Sequence, residues 1–190
     1  MFLSIIRNIN ITLICFTALI SSAHGIEIER SLNLKRQGQP VVSKNWMLSV
    51  ANPYAAKAGA EILSKGGSAA DAMVAVQTVL GLVEPQSSGL GGGAFLLWFD
   101  AESGQIVTLD ARETASRHVT SKLFQDEAGE PLKFYDAVVG GRSVGVPGIP
   151  ALMLEAHQRW GKLEWPTLFK DGIGLAGSGF AVSPRLSMLI

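Results

Sequence analysis

The sequence predicts a mixed α/β (α+β) fold, helices first and a β-hairpin after them. Three observations carry this. Ala69 to Val83 is apolar or small at almost every position, as in a helix buried on all sides. The preceding stretch, Asn52 to Lys65, sets Ala55, Ala58, Gly59, Ile62 and Leu63 on one helical face and Lys57, Glu61 and Lys65 on the other. Beyond a glycine loop, the apolar run Ala94 to Phe99 and the segment Gln105 to Asp110 flank turn-forming Asp100 to Gly104, the pattern of a hairpin.

In chain order, residues 1–25 read as a signal peptide. Arg7 supplies the positive start, Ile9 to Ile20 the apolar run, and Ala23-His24-Gly25 a small-residue cleavage site. The run is shorter than the ~20 residues that span a bilayer, so cleavage and a secreted or periplasmic location are favoured over the alternative, an N-terminal membrane anchor. Cys15, the only cysteine, lies inside this segment. Without it the chain has no thiol for disulfides, nucleophilic catalysis or metal binding. Residues 26–45 are polar and mixed, and read as an extended arm. Patterned sequence fills 46–190. Met47 to Ala51 reads as a short buried strand, and Asn52-Pro53 as a cap with proline at the first helical position. Gly66 ends that helix, and Ser68 with Asp71 forms a capping box for the next, which Pro85 stops. The continuous apolar run Ala94 to Phe99 predicts a strand covered on both faces. Gln125 to Pro131 reads as a surface loop. Helices are expected from about Ile149 to Trp160, from Trp165-Pro166 to Gly177 or Gly179, and from Ser183-Pro184 onward.

The totals narrow the function. The chain has 190 residues, 47% hydrophobic, with 16 basic and 16 acidic side chains. That suits one unit with a sizeable core. No cluster of Lys and Arg offers a surface for nucleic acid. His24, His118 and His157 form no metal-ligand set, so neither metal nor cofactor is expected. Ser87, Ser88 and Ser116 lack the nucleophile-elbow pattern. Trp98, Trp160 and Trp165 read as core rather than a stacking platform.

Two segments remain as site candidates. Gly89-Leu90-Gly91-Gly92-Gly93-Ala94 matches a dinucleotide-binding pattern in letters only, because here the helix precedes the loop and the strand follows it. The loop is then either a tight helix-to-strand connection or a place where backbone approaches a ligand. Twenty residues on, Leu109-Asp110-Ala111-Arg112-Glu113-Thr114-Ala115 sets a fixed cation between carboxylates. Arg112 offers a rigid fork of donors that matches a carboxylate. Taken alone, a structural ion pair with Asp110 or Glu113 is the commoner use of such an arginine.

The ordered set resembles the start of the large subunit of the γ-glutamyltranspeptidases, or glutathione hydrolases. It comprises Gly66-Gly67-Ser68-Ala69-Ala70-Asp71-Ala72, Glu84-Pro85, Ser88 through Phe95, Leu109 through Ala115, and Gly145-Val146-Pro147-Gly148. The resemblance covers about Val41 to Ile190. It implies an αββα sandwich of the N-terminal-nucleophile hydrolase type, incomplete in this stretch. It implies a precursor that cuts itself into two subunits forming a heterodimer. The new N-terminal Thr of the small subunit would attack the γ-glutamyl amide of glutathione or another γ-glutamyl compound, its own α-amine serving as base. Water, an amino acid or a peptide would then accept the glutamyl group. It makes Arg112 the holder of the glutamyl α-carboxylate, with Gly91, Gly92, Gly93 and Glu113 shaping the site. The nucleophilic Thr is expected beyond residue 190, so no catalytic residue is assigned and the stretch alone is expected to be inactive. One departure is Ser116, where the family usually has proline. Two alternatives stand beside this reading: a β-lactam (glutaryl) acylase of the same family, and a secreted non-catalytic binding or scaffold protein.

Overall fold

The computed structural model describes residues 29–190; the predicted signal peptide lies outside them. The arm is not extended throughout, since residues 29–36 are helical (α1). Arg36 reaches back one turn to Asn33, the spacing that lets polar side chains support a helix, and two turns to Glu29.

Two helices build the core. In α2 (Pro53–Ser64) the Asn52 side chain accepts from the Tyr54 amide at 2.9 Å, and Pro53 occupies the first turn. Gly66, at φ 85°, lets the chain leave the helix in the left-handed region. Ser68 and Asp71 then exchange hydrogen bonds as a capping box at the head of α3 (Ala69–Val83). Helix α3 is the central element. It packs on α2, on α5 (Ile149–Trp160), on the 3₁₀ turn Trp165–Phe169 and on α6 (Lys170–Ser178). Val74, Val79, Val83, Ala58, Ile62, Met153 and Leu168 are buried together around it. Gly59 lets α2 and α3 come close: a Cβ there would lie 2.7 Å from Val76 and 2.6 Å from Leu48. Ser183 caps the last helix, α7 (Pro184–Leu189), accepting from the Leu186 amide.

Asp71 does more than cap. It is fully buried, and its Oδ2 accepts from the amides of Ser68, Lys162 and Leu163 at 2.9, 2.9 and 3.2 Å. One carboxylate thereby ties the start of α3 to the turn after α5. Such bonds offset the cost of burying a charge.

The sheet is a two-stranded antiparallel hairpin, β1 (Ala94–Phe99) and β2 (Ile106–Ala111), in the register Ala94 to Ala111 through Phe99 to Ile106. Its burial corrects one expectation. β1 is covered on one face only: Ala94, Leu96 and Trp98 turn inward, while Phe95, Leu97 and Phe99 are exposed, Leu97 at 77%. Inward Trp98 stacks on Trp160 of α5 at 4.4 Å between ring centroids. A second correction concerns residues 47–51. Their alternating exposure is strand-like, but no described strand pairs with them, and Leu48 and Val50 pack on the helices instead. Residues 116–148 are largely irregular. They hold the predicted loop, closed by a bridge between Gln125 and Pro131, and a short helix, α4 (Phe134–Val138), that the sequence reading did not anticipate.

Candidate functional site

Strand β2 delivers the charged corner. At its end the Asp110 carboxylate accepts from the Arg112 amide at 2.9 Å, a turn made by a side chain in place of backbone. The Arg112 side chain leaves this turn 72% exposed. Its Nε lies 3.5 Å from Glu113 Oε2. Of the two acidic neighbours, Glu113 thus meets the guanidinium and Asp110 meets the backbone. An exposed pair of this kind contributes about 0–1 kcal/mol, so most of the fork stays available to another anion.

Glu113 is the packed member of the pair. A Cβ on Gly93 would lie 2.7 Å from the Glu113 amide nitrogen and also from the Ala111 carbonyl oxygen. On the other side, a Cβ on Gly145 would lie 2.9 Å from Glu113 Cβ and 3.1 Å from the Thr114 carbonyl oxygen. Gly148 touches Ala111 so closely that no side chain fits. Backbone bonds close the assembly. Val146 N donates to Thr114 O at 2.8 Å, and the amides of Gly148 and Ile149 both donate to Gly92 O, at 3.1 and 3.2 Å. The glycine loop, the arginine corner and the start of α5 are therefore one knot.

The sequence-level candidates fall into place unevenly. Gly92 and Gly93 lie against Glu113, whereas Gly91 is exposed with nothing within 4 Å of where a side chain would begin. Gly145 and Gly148 join the site only in the structure; their sequence signal is the G-x-x-G spacing next to a helix start. The loop runs from α3 into β1, and the α5 amides that could have met a phosphate are bonded to Gly92, against the dinucleotide pattern. Ser88 accepts from Gln77 and Ser87 from Arg185, so neither faces a base. His157 is enclosed by its neighbours in the fold. It packs on Trp165, its Nε2 is 2.8 Å from Leu163 O, and Asp71 Oδ1 is 3.7 Å away. No group of side chains suited to a metal ion occurs among the described residues.

Behind the loop sits a second carboxylate. Glu84, buried at the end of α3, accepts from Asn52 at 2.7 Å and from Gln86 at 2.6 Å. The Asn52 amide, then Gln86, with Ser183 and the Arg185 charge adding to them, hold its carboxyl below the usual carboxylate range. Glu84 thus ties the α2 cap to the root of the glycine loop.

The profile of the family described as Gamma-glutamyltranspeptidase matches residues 55–190. The chain is 38% identical over 149 residues to the "Glutathione hydrolase proenzyme" of Bacillus subtilis (strain 168), a stretch covering 78% of this chain and 25% of that protein. Among solved structures, the γ-glutamyltranspeptidase of Pseudomonas nitroreducens complexed with L-DON superposes with a TM-score of 0.73 at 36% identity, covering 78% of this chain and 43% of that one. The Helicobacter pylori γ-glutamyltranspeptidase gives 0.74 at 32%, covering 79% and 43%. The chain thus spans about a quarter of the length of the Bacillus subtilis protein.

Proposed function

The chain belongs to the γ-glutamyltranspeptidase family, and from that premise we propose that it is the N-terminal part of a precursor that hydrolyses glutathione or transfers its glutamyl group. The observation that carries this reading is the Arg112 fork, exposed on a corner held rigid beneath it by Glu113, Gly93 and Gly145. A γ-glutamyl group ends in an α-carboxylate, and a planar fork donates to both of its oxygens at once. Uncharged ends of a substrate gain nothing from it.

The rest of the chemistry follows from the family. A Thr beyond residue 190, freed as an N-terminus by self-cleavage, attacks the γ-amide carbonyl. Its hydroxyl proton passes to its own α-amine and then to the departing amine. The resulting glutamyl ester is opened by water or by the amine of an amino acid or peptide. Arg112 fixes the far end of the acyl group, so that the carbonyl is presented at one distance throughout. The partners on this reading are γ-glutamyl donors, acceptor amines and the small subunit of the same precursor. The apolar segment at 9–20 directs export to the periplasm or the outside.

The test is to express the full-length protein and assay release of glutamate from glutathione and of glutarate from a glutaryl amide side by side. Faster cleavage of the γ-glutamyl donor is the expected result. Faster glutaryl cleavage would move the protein to the acylase reading, and a protein that never self-cleaves and releases neither acid would leave the scaffold reading.

A further inference from the structure

Gly145 touches neither the hairpin nor the fork of Arg112, yet it sits where the aim of that fork is set. Its backbone φ lies outside the left-handed region, so conformation alone does not demand glycine. Space does. A Cβ would stand 2.9 Å from Glu113 Cβ, 3.1 Å from Thr114 O and 3.7 Å from Glu113 Cγ. The first is a distance that real Cβ atoms do not keep, and the atom met is rooted in the backbone rather than at the end of a flexible chain. Glu113 is also packed against Gly93, where a Cβ would stand 2.7 Å from its amide nitrogen. The Thr114–Val146 bridge fixes the two segments at this spacing, through bonds of 2.8 and 3.4 Å.

We infer that Gly145 is a positioning residue for the substrate carboxylate: by letting its segment lie directly on Glu113, it sets where Glu113 holds the Arg112 guanidinium. The inference rests on the reading of Arg112 as the carboxylate anchor. A methyl group at 145 pushes the corner outward by several tenths of an ångström or more. The fork moves with it, because Arg112 and Glu113 are adjacent in the chain on that corner, and the exposed 3.5 Å contact between Glu113 Oε2 and Arg112 Nε follows the backbone. Bidentate contacts depend on such distances, and a misplacement of about 1 Å costs up to about 100-fold in a positioned reaction. Gly93 and Gly148 are placed at least as tightly, against Glu113 and Ala111. Gly141, in the same irregular stretch, has open space around it and an ordinary backbone conformation.

The experiment uses the full-length protein and two donors, a γ-glutamyl anilide and the same anilide lacking the α-carboxylate. Gly145→Ala is expected to raise KM for the carboxylate donor about 10- to 100-fold, with kcat and use of the second donor little changed and the thermal midpoint lowered by a few degrees at most. Gly141→Ala is expected to match the wild type throughout. If Arg112→Lys raises KM while Gly145→Ala does not, this inference is wrong and the anchor stands. If Arg112→Lys also leaves KM unchanged, the anchor reading fails and takes this inference with it. A Gly145→Ala protein that loses both donors equally, or does not fold while Gly141→Ala does, assigns the glycine to the fold and overturns the inference.

Discussion

Replacing Asp71 by Asn keeps the shape of the side chain and removes its charge. The carboxylate is fully buried and its Oδ2 accepts three amides, from Ser68, Lys162 and Leu163. A hydrogen bond to a charged group contributes about 1.5–3 kcal/mol and a neutral one about 1 kcal/mol. The difference, summed over three bonds that share one oxygen and are therefore not additive, comes to about 2–4 kcal/mol. The amide adds a second fault. Its NH₂ would fall where Asp71 Oδ1 now lies, a buried atom with no hydrogen-bond partner whose near neighbour is His157 Nε2 at 3.7 Å. With Leu163 O accepting at 2.8 Å, that nitrogen is itself a donor. Denaturant unfolding of the full-length protein would measure the loss, with Glu61→Gln as control. Glu61 makes an exposed i,i+4 pair with Lys65 and lies close enough to the like-charged Asp171 to repel it, so its removal should cost less than about 0.5 kcal/mol. If Asp71→Asn lies within that same margin of the wild type, the carboxylate does not hold α3 to the turn after α5.

Two further outcomes follow. Because the folded protein holds Glu84 below its ordinary value, its contribution is present above the carboxylate range and lost as pH falls through the lowered value. Glu84→Gln should therefore flatten the acid limb of a stability-against-pH curve; a limb parallel to that of the wild type would count against the Asn52–Glu84–Gln86 cluster. The 190-residue chain on its own should bind a hydrophobic dye and aggregate, because Phe95, Leu97, Phe99 and Ile106 form an exposed apolar face. A sharp, reversible thermal transition without dye binding would contradict this.

What was legible in the sequence was written locally. Asn52-Pro53, Ser68 with Asp71, and Ser183-Pro184 place helix starts within a few residues, because a cap is a contract between neighbours in the chain. The hairpin was legible for the same reason. The burial of β1 was not, since Phe95 and Leu97 are as apolar as any core residue, and only what lies against a face decides whether it is covered. Residues 47–51 misled in the same way, having the alternation of a strand without a described partner to pair with. At the site, the side-chain type of Arg112 was legible and its support was not. Gly145 meets Glu113 only because residues far apart in the chain are bridged at Thr114 and Val146. Asp71 looked like a cap and is also a strap, and its partners at 162 and 163 lie 91 and 92 residues away.

The central claim is that Arg112 grips a substrate carboxylate, and Arg112→Lys in the full-length protein addresses it most directly. Lysine keeps the charge and loses the fork. With the γ-glutamyl anilide, kcat/KM should fall by about 1.5–3 kcal/mol, or roughly 10- to 150-fold, and mainly through KM. With the anilide lacking the α-carboxylate it should not change. A loss of equal size on both donors, or on neither, would contradict the assignment.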